Sequence, residues 1–510
     1  MAVAVVGGET DATRHGDMDC PSAGRVSGAP VRAPSGMTAT QAAGERQGPD
    51  SGAAQSAGSR LLLVIMATYA VMMAISLPQL IDPLVRHDDF PALLADPSGY
   101  YLKTLHEGRW INYLWHLREW VTPAWVNFGV YQLFWMIFAA ATAVNACARD
   151  EKPIYVIGLA LMIAVAPPAL LISLWFNTLI PGLGLVALYA VLSVFLSVRM
   201  MRALLFVFVP LTLTAYTTYP LLLLAVHLTT FHARRSFKDL FFGVALFTAS
   251  FAFGIVVIYS LNYWEHGIFG IPMADWRAAT PSVDYASTME NLQRAAGFWG
   301  KTASSFAFHF TPLVIVHLIL FAGGLLVLGR RDIWGALYIV AGFIVGFGLL
   351  TLQVLATGVE LPVRANGFIW VLYAVVVVRI VIWGRQQGGL WERIPRLLLM
   401  IIVASYLLQT VRQYADGMAW QSETRRMAQE LGDTNGPIYF TGDYALIAGA
   451  KAAGIQNARG LRLRLVYLTG REVIDCNVSA QVCNAALGNG VQNGAEIEQR
   501  EGGVVLRLPQ

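Results

Sequence analysis

A series of long apolar runs, beginning after Arg60 and continuing to about residue 414, limits the fold more than any other feature of the sequence. Most of these runs are about twenty residues long, the length that a helix needs to cross the hydrocarbon core of a membrane. Hydrophobic residues make up 56% of the 510 residues and charged residues only 13%, far less charge than a soluble domain carries. The sequence therefore predicts an all-α polytopic membrane protein.

The length rule predicts about eleven transmembrane helices. We place them at roughly 61–80, 122–146, 153–172, 179–198, 203–215, 217–232, 239–261, 307–328, 333–352, 366–384 and 397–414. The runs at 203–215 and 217–232 are short and meet at the sequence AYTTYP. Either of them can therefore be a partial span that lines the protein interior.

Basic residues occur in alternate breaks between the runs. The breaks of one set contain Arg149, Lys152, Arg199, Arg202, Arg234, Arg235, Lys238, Arg330, Arg331, Arg385, Arg393 and Arg396. The breaks SLWFNT and VLATGVELP contain none. Because cytoplasmic breaks are enriched in Lys and Arg, we predict a cytoplasmic N-terminus and a periplasmic C-terminus in a bacterial inner membrane. The net charge of +4 is spread over these breaks, so it indicates membrane orientation and no nucleic-acid partner.

Composition divides the chain into three regions. Residues 1–58 are rich in small and polar residues without apolar periodicity, which predicts a disordered cytoplasmic tail. Residues 59–415 form the predicted transmembrane domain, and residues 416–510 form a predicted small periplasmic α/β domain. In this last region we predict a strand at PIYFTG, a helix at DYALIAGAKAAG, a strand at LRLRLVYLT and a hairpin at EIEQREGGVVLRL.

Two of the four cysteines, Cys476 and Cys483, lie close together in the sequence CNVSAQVC. Their spacing permits a short closed loop, and a disulfide persists only in an oxidising compartment. We predict that the two cysteines form a disulfide, which agrees with the periplasmic C-terminus derived from the basic residues.

Polar residues follow the first apolar run directly, in the sequence PLVRHDDFPALL. The adjacent Asp88 and Asp89 would lie near the outer leaflet, where they could meet a lipid-borne substrate. Nearby cations could hold a phosphate group; they are Arg86, Lys103 and Arg109. A structural alternative is that Asp89 caps a helix starting near Phe90.

The segment after the aspartates predicts two interfacial helices separated by Gly108. In the second helix, apolar side chains recur with helical spacing at Trp110, Tyr113, Leu114, Leu117 and Val121. This pattern predicts an amphipathic helix whose aromatic side faces the lipid.

Four features together resemble the membrane glycosyltransferases of the C class, in particular the O-antigen glucosyltransferase-like family of bacteria. They are the first span, the Asp-Asp pair that opens the first outer loop, the sequence HEGRW about twenty residues later, and LPVRANGF before a late span. The resemblance extends over roughly residues 60–415. Where that family often shows Tyr-Gln in a middle span, this chain has AYTTYP.

The resemblance implies inverting transfer of a sugar from a polyprenyl-phosphate donor to an acceptor glycan or glycolipid at the periplasmic face. It implies that Asp88 or Asp89 is the catalytic base and that Arg109 and Arg364 contact the donor phosphate. Lys103 and Arg86 are further candidates for that phosphate. Candidate substrate-binding residues are His87, Tyr101, Glu265 and Arg277.

No cofactor is predicted with the exception of a possible divalent cation, Mg²⁺ or Mn²⁺, for which Asp88, Asp89 and His87 are the candidate ligands. No second histidine lies at ligand spacing from His87, so metal dependence stays open. Partners besides the donor and acceptor are membrane lipids.

Two other functions compete with glycosyl transfer. A transporter or flippase of lipid-linked sugars would use the first outer loop as a gate, and an O-antigen polymerase or ligase would act on a pyrophosphate-linked glycan. No charged residue lies in the middle of a predicted span, and the hydropathy pattern shows no internal repeat. Both observations disfavour a proton-coupled transporter.

Overall fold

The computed structural model of the chain describes residues 51–118, 120–231, 235–308, 310–432, 435–487, 497–500 and 503–509. Most of the predicted tail, residues 1–50, lies outside these described residues. The first described helix begins at residue 51, so the predicted disordered tail does not extend to residue 58.

Nineteen α-helices occur in the described part of the chain. The first ten are α1 Ser51–Ile75, α2 Leu77–Ile81, α3 Ser98–Glu107, α4 Trp110–His116, α5 Ala124–Ala146, α6 Pro153–Ala164, α7 Pro167–Ser173, α8 Phe176–Phe195, α9 Val198–Leu213 and α10 Tyr219–Thr229. The others are α11 Phe237–His266, α12 Tyr285–Ser305, α13 Thr311–Arg331, α14 Ile333–Thr357, α15 Gly367–Gln387, α16 Gly389–Glu430, α17 Ala448–Ala453, α18 Ala458–Thr469 and α19 Ala480–Leu487.

Eight of the described helices are long and apolar enough to cross a membrane, and they are α1, α5, α8, α11, α13, α14, α15 and α16. Helices α6 and α7 together would make a ninth span, although they meet at an angle of 54°. Pro167 and Pro168 start α7, and proline lacks the amide hydrogen that would continue the preceding helix. The protein is therefore a polytopic helical membrane protein.

Helices α9 and α10 coincide with the two short predicted runs. Their lengths are 16 and 11 residues, below the length of a full span. Helix α10 is buried along its whole length, as expected for a segment that lines the protein interior.

The breaks between the helices gather at two ends of the bundle. At one end, Arg60 Nη1 donates to the carbonyl of Ala148 at 2.9 Å, and Arg235 pairs with Asp332 at 2.7 Å. This end collects the breaks that contain the basic residues. The breaks without basic residues lie at the other end, which the C-terminal region also contacts.

The first loop at this second end deviates from the predicted amphipathic helix. Gly108 has a φ of 68° and separates α3 from α4, as predicted, but α4 already ends at His116. Trp110 points inward, is 8% exposed, and donates from Nε1 to Asn262 Oδ1 at 2.9 Å. The predicted lipid-facing stripe was wrong at Trp110, because its indole finds a hydrogen-bond partner on α11.

The C-terminal region contains a four-stranded sheet of order β2-β1-β4-β3. The strands are β1 Ile438–Thr441, β2 Val473–Asp475, β3 Ile497–Arg500 and β4 Gly503–Arg507. Strand β1 runs parallel to β2 and β4, and β3 pairs antiparallel with β4 as in the predicted hairpin. Helix α16 runs from the membrane bundle across residue 415 and packs against α17 and α18.

The prediction of a strand at LRLRLVYLT was wrong, because this segment forms α18. Asn457 caps the helix by accepting a hydrogen bond from the Gly460 amide at 3.2 Å, and Gly470 ends it with a φ of 66°. Leu461 and Leu465, four residues apart, are both buried on one helical face. The alternation of Leu and Arg suggested a strand, but the helical spacing of these two leucines decides the packing.

A buried ion pair joins α18 to the first loop. Arg464 is 2% exposed and donates from Nη1 and Nη2 to the two carboxylate oxygens of Asp82, at 3.0 and 2.6 Å. Arg86 adds a second connection from the same loop, donating to the carbonyls of Ala453 and Gly454 at 2.8 and 2.5 Å. The C-terminal region is thereby held over the loop that contains Asp88 and Asp89.

Candidate active site

A cavity of about 840 Å³ lies where the C-terminal region covers this end of the helix bundle. Its walls come from the first loop, the turn before α8, the loop between α11 and α12, the turn before α15 and the start of α18. The lining residues are His87, Asp88, Gly99, Leu102, Lys103, His106, Glu107, Trp175, Met273, Ala274, Asp275, Trp276, Arg364, Gln456, Asn457 and Arg459. Segments that are far apart in sequence therefore bring charged and polar side chains to one cavity.

Asp88 is the aspartate of the pair that faces this cavity. Its side chain is 29% exposed, and Oδ1 lies 3.2 Å from Lys103 Nζ and 3.4 Å from His87 Nε2. Burial opposes ionisation, but the charges of Lys103, His87 and Arg109 hold the pKa of Asp88 at about 2. Burial lowers the pKa of His87, so that its imidazole is neutral at pH 7. Asp88 is therefore an ionised carboxylate with access to the cavity.

Asp89 points the other way and is completely buried. Its carboxylate accepts hydrogen bonds from the backbone amides of Asn177 and Thr178, both at 2.9 Å, and from the Thr178 hydroxyl. Full burial raises the pKa of Asp89 to about 7, against the effect of these three hydrogen bonds.

Asp89 does cap a helix, as the structural alternative predicted, but it caps α8 and not a helix that starts near Phe90. The side chain makes no capping hydrogen bond to the turn Phe90–Ala92. Instead it binds the N-terminal amides of α8, where the helix dipole favours a negative charge. Asp89 is thus a structural residue, which leaves Asp88 as the candidate base.

We expect Asp89→Asn to lower the thermal stability of the protein in detergent. The asparagine amide would present its NH₂ to amides that need an acceptor, and each buried donor left unpaired costs about 1–3 kcal/mol. Asp96→Asn is the matched control, since Asp96 is exposed and, among the described residues, its carboxylate accepts hydrogen bonds from Ser98 alone. Equal melting temperatures for the two variants would contradict this role of Asp89.

Glu107 is a second carboxylate at the cavity, and the sequence analysis did not single it out. Its two oxygens contact Arg109 Nε at 2.6 Å and Arg277 Nη2 at 3.1 Å. Burial opposes ionisation, but the charges of Arg109, Lys103 and Arg277 keep the pKa of Glu107 below its usual value. In the sequence, Glu107 could be noticed only as part of HEGRW, where it directly precedes Gly108, the glycine that ends α3.

Arg109 and Arg277 lie behind this carboxylate. Neither side chain lines the cavity, and the guanidinium of Arg109 also lies 5.1 Å from the ring of Tyr216. Arg109 therefore orients Glu107 in this structure, whereas the resemblance implied direct contact with a phosphate.

Arg364 does line the cavity. Its guanidinium carbon lies 3.9 Å from the centre of the Trp175 ring, which fixes the side chain by a cation–π contact. Within the described ranges, no carboxylate lies within 4.0 Å of Arg364, so its donors are free for an anion. The guanidinium of Arg86 lies 5.6 Å from the centre of the same tryptophan ring. It donates hydrogen bonds to two backbone carbonyls, so Arg86 has a structural contact here in place of the predicted contact with a phosphate.

The predicted pair of Tyr101 and Glu265 meets outside the cavity. Tyr101 donates from its hydroxyl to Glu265 Oε1 at 3.2 Å, and neither residue belongs to the cavity wall. Trp276, from the loop that follows α11, is 73% exposed and faces the cavity. Its indole offers the kind of flat aromatic surface on which a sugar ring can pack.

In the part of the chain that the structure describes, no three His, Cys, Asp or Glu side chains lie close enough to hold a metal ion. Of the predicted ligand set, Asp89 has both oxygens engaged by α8. Asp88 and His87 remain, beside the positive charge of Lys103, which disfavours a cation between them. A divalent cation here would need oxygens from a phosphate substrate to complete its shell.

Comparison with models of known protein families gave no match, and comparison with curated proteins gave none either.

Three cavity residues come from the C-terminal region, which the sequence analysis left without a role. Gln456 and Asn457 precede α18, and Arg459 lies in its first turn. Arg459 is exposed to the cavity and has no carboxylate within 4.0 Å among the described residues. No pattern in the sequence distinguishes Arg459 from Arg462 or Arg464, because only the docking of α18 determines which one reaches the cavity.

Proposed function

We propose that this protein transfers a sugar from a polyprenyl-phosphate donor to an acceptor glycan or glycolipid at the periplasmic face of the bacterial inner membrane. In this proposal it is an inverting membrane glycosyltransferase of the C class, with eleven membrane-embedded segments when α9 and α10 are counted. The observation that supports this proposal most strongly is the combination of charges in one cavity at an end of the membrane bundle. There the ionised carboxylate of Asp88 lies in the same cavity as the guanidinium groups of Arg364 and Arg459, which lack carboxylate partners within the described residues.

The charges of the cavity suit the phosphate of such a donor and the hydroxyl group of its acceptor. Arg364 lies on Trp175 at the start of α15, close to the membrane, where it can meet a phosphate that is anchored by a lipid. Asp88 lies in the same cavity and can accept a hydrogen bond from a hydroxyl group. A phosphate and a hydroxyl nucleophile could therefore bind together, which transfer requires.

In the proposed reaction the acceptor hydroxyl attacks the anomeric carbon and passes its proton to Asp88. The bond between the anomeric carbon and the phosphate oxygen breaks, and its electron pair stays on the phosphate. Arg364 stabilises the charge that develops there. A carboxylate with a pKa of about 2 is a weak base, but the hydroxyl becomes strongly acidic once it bonds to an oxocarbenium-like carbon, so late proton transfer suffices.

The direct test is to incubate the purified protein in lipid nanodiscs with a panel of polyprenyl-phosphate sugars and a mixture of bacterial glycans. We expect release of polyprenyl phosphate together with a glycan of inverted anomeric configuration. A flippase would move the donor across the bilayer without cleaving it. Release only from pyrophosphate-linked glycans would instead identify a polymerase or ligase.

We expect Arg364→Ala to weaken binding of farnesyl phosphate about 10- to 100-fold, because a hydrogen bond to a charged group contributes about 1.5–3 kcal/mol. Lysine should restore only part of the affinity, since it lacks the planar fork of the guanidinium. Lys301→Ala is the control, because Lys301 is exposed and pairs with Glu360 away from the cavity. Unchanged affinity in Arg364→Ala would show that Arg364 is only an interfacial anchor.

A further inference from the structure

A second cavity adjoins the first one on the C-terminal region. Its volume is about 490 Å³, and it shares Asn457 and Arg459 with the wall of the larger cavity. Its other lining residues are Ala458, Arg462, Glu472, Val473, Ile474, Asp475, Val478, Ser479 and Val482. The second cavity, called the groove below, therefore lies next to the cavity that contains Asp88, on the other side of Asn457 and Arg459.

The polar side chains of this groove suit a ligand with many hydroxyl groups. Arg462 and Glu472 are exposed, and within the described ranges neither has an ion-pair or hydrogen-bond partner on its side chain. Arg462 can donate hydrogen bonds, Glu472 can accept them, and the hydroxyl of Ser479 can do both. Val478 and Val482 are 83% and 52% exposed and add apolar surface between them.

The disulfide gives this groove one fixed wall. Cys476 and Cys483 are bonded, and the loop that they close contains Val478, Ser479 and Val482. Cys483 packs against Tyr439 and Val505 on one face of the sheet. A short exposed segment held by a covalent bond and by the sheet keeps its shape without a ligand, which lowers the entropic cost of binding one.

We propose that this groove, formed by residues 457–459, 462, 472–475, 478, 479 and 482, binds an acceptor polysaccharide beyond the sugar that receives the new linkage. The inference builds on the proposed function, because the groove is assigned to the acceptor side of a transfer site. The acceptor is then a chain of several sugars, with its reacting hydroxyl at Asp88 and its neighbouring sugars between α18 and the disulfide loop. The groove volume of about 490 Å³ agrees with an oligosaccharide segment, since pockets of about 300–1,000 Å³ hold ligands larger than a single sugar.

The test uses the full-length protein in nanodiscs on a printed array of bacterial surface polysaccharides and their constituent monosaccharides. Val482→Trp fills the groove, and Gln481→Trp places the same side chain on the neighbouring exposed residue outside it. We expect the native protein to bind at least one polysaccharide but not its monosaccharides. Val482→Trp should weaken that binding about tenfold or more, with Gln481→Trp unchanged.

Equal binding by Val482→Trp and the native protein would overturn the inference, and so would the absence of binding to every polysaccharide. Cleavage of polyprenyl-phosphate sugars, measured on the same samples, separates this result from the proposed function. A protein that binds polysaccharide through the groove but cleaves no polyprenyl-phosphate sugar would refute the transfer reaction alone. A protein that cleaves such donors while Val482→Trp has no effect on polysaccharide binding would refute the groove alone.

Discussion

Replacement of Asp88 by asparagine is expected to lower the rate of sugar transfer by about two to four orders of magnitude, the usual contribution of general-base catalysis. Asparagine keeps the size of the side chain but cannot accept the proton of the attacking hydroxyl. The measurement is the transfer rate of purified Asp88→Asn and native protein in nanodiscs, with a cleavable polyprenyl-phosphate sugar at saturating concentration.

The structure provides two controls for this experiment. Within the described residues, the Asp88 carboxylate pairs with Lys103 and lies 3.4 Å from the ring of His87, and its side chain is 29% exposed. The variant should therefore keep its melting temperature within the range of other surface changes. Asp89→Asn should show the opposite pattern, with reduced stability and near-native transfer per folded molecule. A near-native transfer rate for Asp88→Asn would remove the main support for the proposed reaction.

Loss of the buried ion pair between Arg464 and Asp82 is expected to have the largest effect on stability. Breaking a fully buried pair by removing one partner costs about 3–5 kcal/mol. The cost here lies at or below the lower end of that range, because Asp82 is 17% exposed and keeps one arginine beside it. In Arg464→Ala the Asp82 carboxylate loses both hydrogen bonds from Nη1 and Nη2, although Arg425 remains 3.2 Å away. The C-terminal region should then separate from the first loop before the membrane helices unfold.

The measurement is limited proteolysis combined with thermal unfolding in detergent. We expect Arg464→Ala to expose the segment after α16 to protease at temperatures where the native protein resists. Arg462→Ala, two residues earlier on the same helix, removes an exposed guanidinium and should behave like the native protein. Identical protease resistance of the two variants would show that this ion pair does not hold the C-terminal region in place.

These two predictions are linked through the cavity. Arg464 holds α18 against the first loop, and the first turn of α18 places Arg459 at the cavity that contains Asp88. Undocking should therefore also lower polysaccharide binding without altering Asp88. We therefore expect the proposed reaction and the proposed acceptor groove to depend on the same contact between Arg464 and Asp82.

The apolar runs by themselves determined that the chain is a polytopic helical membrane protein, because a run of about twenty apolar residues has no other stable environment than the bilayer. Each of the eleven predicted runs overlaps at least one described helix; the run 61–80 covers parts of α1 and α2, and the run 153–172 covers the bent pair of α6 and α7. The alternation of basic and non-basic breaks likewise anticipated which breaks meet at the same end. Local sequence also predicted β1, the β3–β4 hairpin and the position of Gly108.

Only the tertiary structure decided which of two adjacent aspartates faces the cavity. Neighbours in a turn have the same local sequence signals, and the difference lies in α8, whose N-terminal amides bind Asp89 from almost ninety residues away. The same holds for LRLRLVYLT, where alternating Leu and Arg fit a strand as well as a helix until Asp82 binds Arg464. Glu107 and Arg459 became site residues in this way too, because a cavity formed by distant segments has no periodicity that a sequence could display.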